Sequence, residues 1–249
     1  MAEAIAIEHV SYRYQSAGRE VLAVDDVSLQ VAPAEFVCVL GPSGCGKTTI
    51  MNMIVGFLHP TQGTIRIGDG SDDAGSNRGV VFQDFAQLFP WRTARRNVEF
   101  GLEMRKIPTA ERRETAMEFL RLVGLTKFAD AFPHELSGGM QQRVAIARAL
   151  AYNPGVLLMD EPFAALDAMT REEMQRLVTD IWQKTRKTVV YVTHNISEAV
   201  YLADRVIVLA AHPGKLKAEF RLTLPRPRDP LAPEFIEAQR EISAALGVH

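Results

Sequence analysis

Apolar and polar positions alternate from residue 5 to 31, in IAIEHVSYRY and again in VLAVDDVSLQV, and this period of two predicts antiparallel strands. Pro33 interrupts the pattern. The apolar run EFVCVL at 35–40 then predicts a short buried strand. It leads straight into GPSGCGKTT and an apolar helical stretch over 49–58. GTIRI at 63–67 reads as a strand, 68–79 as a polar glycine-rich loop, and 79–82 as another strand before Gln83. Residues 84–135 are richer in charge and helix formers, and RKIPTAERRETAMEFLRLVGL carries helical spacing. That segment predicts an inserted helical lobe. Strands return at 156–159, 188–193 and 205–209, around an amphipathic helix over 171–185. Short β-branched runs between helices predict an α/β chain with a mostly parallel core sheet, behind an N-terminal antiparallel β subdomain. One unit is expected over 1–225, with the lobe at about 84–150 inserted in it, and a tail over 226–249 that opens with Pro and Arg and ends in a short helix. Packing of that tail on the main unit and contact with a partner both remain open.

Composition narrows the picture. The 249 residues are 47% hydrophobic, enough for a sizeable core. The net charge of −2, with no basic stripe, argues against a general nucleic-acid surface. Cys38 and Cys45 do not form a disulfide framework, so a reducing, cytosolic setting is expected. The N-terminus shows no signal-peptide pattern, and no stretch approaches the roughly 20 apolar residues of a membrane span. If the protein serves a membrane process, another polypeptide is expected to do the crossing.

Three motifs carry chemistry. The first is Gly41, Pro42, Ser43, Gly44, Cys45, Gly46, Lys47 and Thr48, followed by Thr49, set between a strand and a helix. Glycines let successive backbone N–H groups converge on phosphate oxygens, and the helix adds its positive end. Lys47 supplies a charge for the β/γ-phosphates, and the Thr48 hydroxyl suits Mg²⁺. The second is the strand over 156–159 ending in Asp160 and Glu161. Two carboxylates there cost stability unless a cation is present; Asp160 would hold Mg²⁺ and Glu161 would polarise the attacking water. The third is LSGGMQQR at 136–143, where Ser137 caps a helix and Gly138 and Gly139 open the backbone to a ligand. One nucleotide has one triphosphate, already wrapped by the first loop. This second cradle is therefore expected to serve ATP held by another copy, in a head-to-tail pair.

With these motifs the chain resembles the ABC-type ATPases, a P-loop NTPase family, over residues 5–220, with LSGGMQQR as the family's signature. The resemblance implies further roles. Gln83 in VVFQD would touch Mg²⁺ or the attacking water and relay nucleotide state to the lobe. Asp167 in ALD lies in the loop that crosses the dimer interface. His194 in YVTHN is the switch that contacts the γ-phosphate and, with Lys47, stabilises developing charge. Gln141 belongs to the signature cradle. Tyr14 is expected to stack on adenine, with Tyr12 as the competing candidate. Cysteine at position 45 departs only mildly from the pattern, because that contact is made by backbone N–H.

LFPW, then R-T and N-V, within 84–100 is similar to importer ATPases for nitrate, sulfonate, taurine and related organic anions. That likeness implies a peripheral subunit on the cytoplasmic face of the membrane, paired with a second ATPase subunit. It also implies a separate permease and, indirectly, a solute-binding protein. The apolar cluster of Phe85, Leu88, Phe89, Pro90 and Trp91 reads either as lobe core or as a docking patch for the permease. Three alternatives compete: a non-transport ABC-type ATPase, disfavoured by the single cassette; a P-loop kinase, which has no need of LSGGMQQR; and a catalytically silent regulatory subunit, against which Asp160, Glu161 and His194 argue.

Overall fold

The computed structural model describes residues 4–16, 19–68, 77–83 and 87–247. Residues 69–76 of the predicted glycine-rich loop, and Phe85 of the apolar cluster, lie outside this set. The N-terminal alternation becomes β1 (Ile5–Ser16) and β2 (Arg19–Val31), paired antiparallel, with β4 (Gln62–Ile67) on the other edge of β1. Ile5, Ile7, Val10, Val27, Leu29 and Val31 bury the inner face of this sheet.

The second sheet is built from β3 (Phe36–Leu40), β5 (Arg78–Val81), β6 (Val156–Asp160), β7 (Thr188–Thr193), β8 (Arg205–Ala210) and β9 (Lys215–Arg221), in the order β5-β6-β7-β3-β8-β9. Its strands run parallel except β9, which is antiparallel to β8. Because side chains alternate, each strand serves two cores. Val37 and Val39 of β3, with Val190 and Val192 of β7, face α1 (Lys47–Val55) and the small sheet. Phe36, Cys38 and Leu40, with Val189 and Tyr191, face the opposite layer. That layer holds α4 (Gly138–Ala151), α5 (Ala168–Thr185), α6 (Ile196–Leu202) and α7 (Pro233–Leu246). The lobe consists of α2 (Ala94–Met104), α3 (Thr109–Leu122) and α4, with α2 and α3 both packed on α4.

The fold is thus a P-loop NTPase with the expected antiparallel subdomain and helical lobe. The predicted 49–58 helix starts earlier, at Lys47, and stops at Val55, because Gly56 takes a left-handed cap at φ 94°. The α5 helix starts at Ala168 because Asp167 caps it. Among the described residues no helix is long and apolar enough to cross a membrane.

The tail packs on the main body. Arg226 lies over the Trp182 ring at 4.4 Å and donates to Asp204 Oδ1 at 2.6 Å and to the Leu202 carbonyl at 2.5 Å. Arg228, pushed down to about 10 by burial and by the neighbouring Arg226, donates to the carbonyls of Val200 and Ala203. Both arginines therefore cap the C-terminal end of α6. Phe235 and Ile242 of α7 are fully buried in the shared core. Phe235→Ala is expected to cost about 3–5 kcal/mol, read as a lower urea midpoint with an unchanged slope.

Candidate active site

The parallel strands deliver their chemistry to one edge. Leu40 pairs with Thr193, Asp160 with Val192, and Val81 with Met159. The residues that follow, Gly41, His194, Glu161 and Gln83, therefore gather where these strands end, the usual ligand edge of an open α/β sheet.

The phosphate loop turns between β3 and α1. Gly46 caps α1 in the left-handed region at φ 85°, and a Cβ there would lie 2.9 Å from the Ala23 carbonyl oxygen. No other residue satisfies both constraints. Pro42, Ser43 and Gly44 form an exposed tip. The Cys45 side chain is fully buried, with burial pushing its thiol up, so position 45 offers the site only backbone. Lys47 is 6% exposed and folds back on the loop, donating to the carbonyls of Gly41 at 2.8 Å and Pro42 at 3.0 Å. A bound phosphate would exchange those neutral acceptors for charged ones.

The two carboxylates sit beside it. Glu161 Oε1 is 3.8 Å from Lys47 Nζ, and Oε2 is 2.9 Å from His194 Nδ1. A carboxylate can only accept, so Nδ1 carries the proton of this bond. Glu161 adopts φ 42° while its N–H donates to the Val192 carbonyl at 2.9 Å. Strain of this kind at a carboxylate on a site edge is characteristic of functional positions. Asp160 is pushed above its ordinary range by burial and further by Glu161, and is drawn back by the Thr48 hydroxyl that donates to it and by Lys47.

A divalent cation fits this donor set. Asp160 and Thr48 present hard oxygens side by side, and a cation would favour the ionised carboxylate that burial disfavours. Among the described residues no group of three or more His, Cys, Asp or Glu could hold a metal ion. The nucleotide's phosphates would have to complete the coordination. Gln83 is exposed just past β5. The backbone of the preceding residue is held instead: Gln87 accepts from the Phe82 N–H at 3.1 Å and donates to the Phe82 carbonyl at 2.9 Å. Gln87 Nε2 donates to the buried Gln142 at 3.3 Å, and Arg148 donates to the Gln87 carbonyl at 2.7 Å. The sequence reading assigned no role to Gln87 or Arg148, which belong to no local motif.

Tyr14 stands over the loop, its hydroxyl 3.2 Å from Thr49 Oγ1, while Tyr12 packs edge-on against Tyr14 at 4.8 Å and leans on the core. Tyr14, Gly44, Gly46, Lys47, Thr48 and Thr49 line a cleft of about 330 Å³ together with His212 and Pro213. His212 also escaped the sequence reading, since nothing in HPG marks it as a neighbour of the phosphate loop.

The signature residues stand elsewhere. Ser137 is exposed and caps α4, accepting from Met140 N–H at 3.3 Å. Gly138 begins that helix, and Gln141 Nε2 donates to the Leu136 carbonyl at 3.0 Å. Gly139 is packed so closely that a Cβ would come 2.6 Å from Thr170 Cγ2, which joins this helix start to the start of α5. Asp167 is exposed and accepts from Thr170 N–H and Oγ1 at 3.0 and 2.8 Å, and these bonds hold its carboxyl below the usual range. The cleft over the phosphate loop includes none of Ser137, Gly138, Gly139, Gln141 or Asp167. The apolar cluster divides: Leu88 is core at 3% exposure, Phe89 packs on Phe100 at 4.6 Å, and Trp91 is 71% exposed.

Known proteins are similar to this chain in sequence and fold. The ABC transporter family profile matches residues 24–164. The taurine import ATP-binding protein of Rhizobium johnstonii is 46% identical over 252 residues, covering 97% of this chain and 96% of that protein. The nitrate import ATP-binding protein of Synechocystis is 45% identical, covering 91% of this chain and 88% of that protein. A dimeric ATP-binding cassette, solved in a post-hydrolysis state with ADP and Pi, superimposes with a TM-score of 0.77 at 36% identity, covering 89% of this chain and all of that one. By profile, by relatives and by fold, the chain belongs to the ABC transporter family, as an ATP-binding and ATP-hydrolysing subunit related to importer ATPases.

Proposed function

We propose that two copies of this chain bind two ATP molecules between them and drive uptake of a small anion, such as taurine, another sulfonate or nitrate, through a separate permease at the cytoplasmic face of the membrane. The observation that carries the catalytic half is Glu161, fixed between Lys47 and His194 beside the phosphate loop. Each ATP lies on the 41–49 loop of one copy and meets Ser137, Gly138, Gly139 and Gln141 of the other. The exposed Ser137 and Asp167 support this pairing, as does the dimeric relative with ADP and Pi. The anion class rests on relatives named for taurine and nitrate import.

In the hydrolytic step Glu161 orients water and accepts its proton, and the water oxygen attacks the γ-phosphorus in line as the bond to the β,γ-bridging oxygen breaks, leaving ADP and inorganic phosphate. Lys47 offsets the charge that builds on the phosphoryl oxygens, and His194 adds to this in its imidazolium form, with Nδ1 donating to Glu161 and Nε2 to the phosphoryl group. Thr48, Asp160 and Gln83 would hold Mg²⁺, which neutralises phosphate charge when bound. Closure of the pair carries the lobe at about 84–150 inward, and the exposed Trp91 surface meets the permease. Residues 226–247 pack on the same body through Arg226, Arg228, Phe235 and Ile242.

Dilution tests the pairing. ATPase activity per chain is expected to fall as the protein is diluted below its dimer dissociation constant. A constant specific activity with a monomer throughout would refute the shared site. Loss of taurine or nitrate uptake on deleting the gene would identify the solute; unimpaired uptake of small anions would refute that assignment. Tyr14→Ala is expected to weaken ATP binding about tenfold, in the range of one lost aromatic–base stack, with little effect from Tyr12→Ala. Titration with a fluorescent ATP analogue reads both.

A further inference from the structure

Glu198 is a buried carboxylate to which the hydrolytic scheme gives no task. It is 4% exposed and lies on α6, four residues beyond His194. Its Oε2 accepts from Thr193 Oγ1 at 2.8 Å and from the Tyr191 hydroxyl at 3.0 Å. The Thr193 hydroxyl oxygen in turn accepts from Asn195 N–H at 3.0 Å. Glu198 therefore fixes the residues on both sides of His194. On its other flank, Oε1 is 3.6 Å from Arg171 Nε.

Arg171 sits in the first turn of α5, and its Nη2 donates at 2.9 Å to the carbonyl of Leu166, the residue before Asp167. One ion pair thus joins the 165–167 loop to the turn that carries His194. Glu161, Arg171, Thr193, His194 and Glu198 also line one small cavity of about 60 Å³. Burying the Glu198 carboxylate costs desolvation, which its partly exposed partner Arg171 and the two hydroxyls only partly offset. Burial pushes the Glu198 carboxyl up, and the two hydroxyls and Arg171 draw it back.

We propose that Arg171 and Glu198 are positioning residues that transmit the seating of the 165–167 loop to His194. The proposal rests on the assignment of Glu161 and His194 to hydrolysis. When a second copy fixes Asp167, the Leu166 carbonyl holds Arg171, Arg171 holds Glu198, and Glu198 sets the Thr193–Asn195 turn so that His194 stays against Glu161. Neither Arg171 nor Glu198 lines the cleft over the phosphate loop, so this link acts on turnover and not on nucleotide affinity.

The test compares Glu198→Gln, Arg171→Gln, the double variant and Glu161→Gln in the full chain, reading kcat, KM, ATP affinity and Tm. Each single variant of the pair is expected to lower kcat about 10- to 100-fold, the effect of a displaced catalytic group, with ATP affinity unchanged. The double variant is expected to be no slower than the slower single, because both cut the same link. Effects that multiply in the double variant overturn the proposal. So does a joint fall of kcat, ATP affinity and Tm, which a merely structural role would produce. If Glu198→Gln does not fold, Arg171→Gln at a partly exposed position decides alone, by whether kcat falls with affinity retained. A dead Glu161→Gln beside fully active Glu198→Gln and Arg171→Gln removes the link and leaves the hydrolytic assignment standing. Full activity of Glu161→Gln removes that assignment itself.

Discussion

Replacing Glu161 by glutamine will abolish multiple turnover, with a loss of about 100- to 10,000-fold, the range for removal of a general base. Glutamine keeps the shape of the side chain and its bond to His194 but cannot accept a proton from water. ATP affinity should hold, because the Lys47–Gly41 and Lys47–Pro42 contacts and the Tyr14 face are untouched. The variant should therefore accumulate with ATP bound, at twice the mass of one chain in size-exclusion chromatography. Turnover at the unmodified rate would remove Glu161 from the reaction.

The second large effect belongs to Lys47. Lys47→Ala is expected to weaken ATP binding about 100-fold, in line with the 2–5 kcal/mol lost when one partner of a buried charge pair is removed. The ammonium now rests on two neutral carbonyls, so binding a triphosphate is a change of partner from neutral to anionic. Arginine should not restore affinity, because its planar fork does not fit a site built around a point charge 2.8 Å and 3.0 Å from two carbonyls. Calorimetric titration reads both variants, and an affinity equal to that of the unmodified chain would contradict the phosphate-loop assignment.

Much of this site was legible in the sequence because its parts are contiguous. Positions 41–48 and 136–143 are local motifs whose backbone requirements show in their glycines, and Asp160 and Glu161 end a run that is otherwise apolar. Contributions from single residues of distant segments were not legible. Gln87, Arg148 and His212 matter only because folding brings them to Phe82 and Gly44. Spacing alone does not separate Tyr14 from Tyr12, and the hydroxyl contact to Thr49 distinguishes Tyr14 only in the folded chain. Two elements were missed. The β9 strand, KLKAEFR, does alternate, but its exposed face masks the signal at a sheet edge. The seven-residue α6 is too short for a helical period to emerge, and Asn195 and the tail arginines define its ends.

Strand order also bears on synthesis. The β3 strand carries the phosphate loop, yet its neighbours are β7 and β8, with Phe36 set against Val189 and Val37 against Arg205. A nascent chain leaving the ribosome thus exposes its glycine loop long before the flanking strands exist. Closing so long a span is entropically slow. Fragments that end short of β8 will have an unsupported loop and an open sheet edge, so prematurely terminated products are natural substrates for chaperones and proteases.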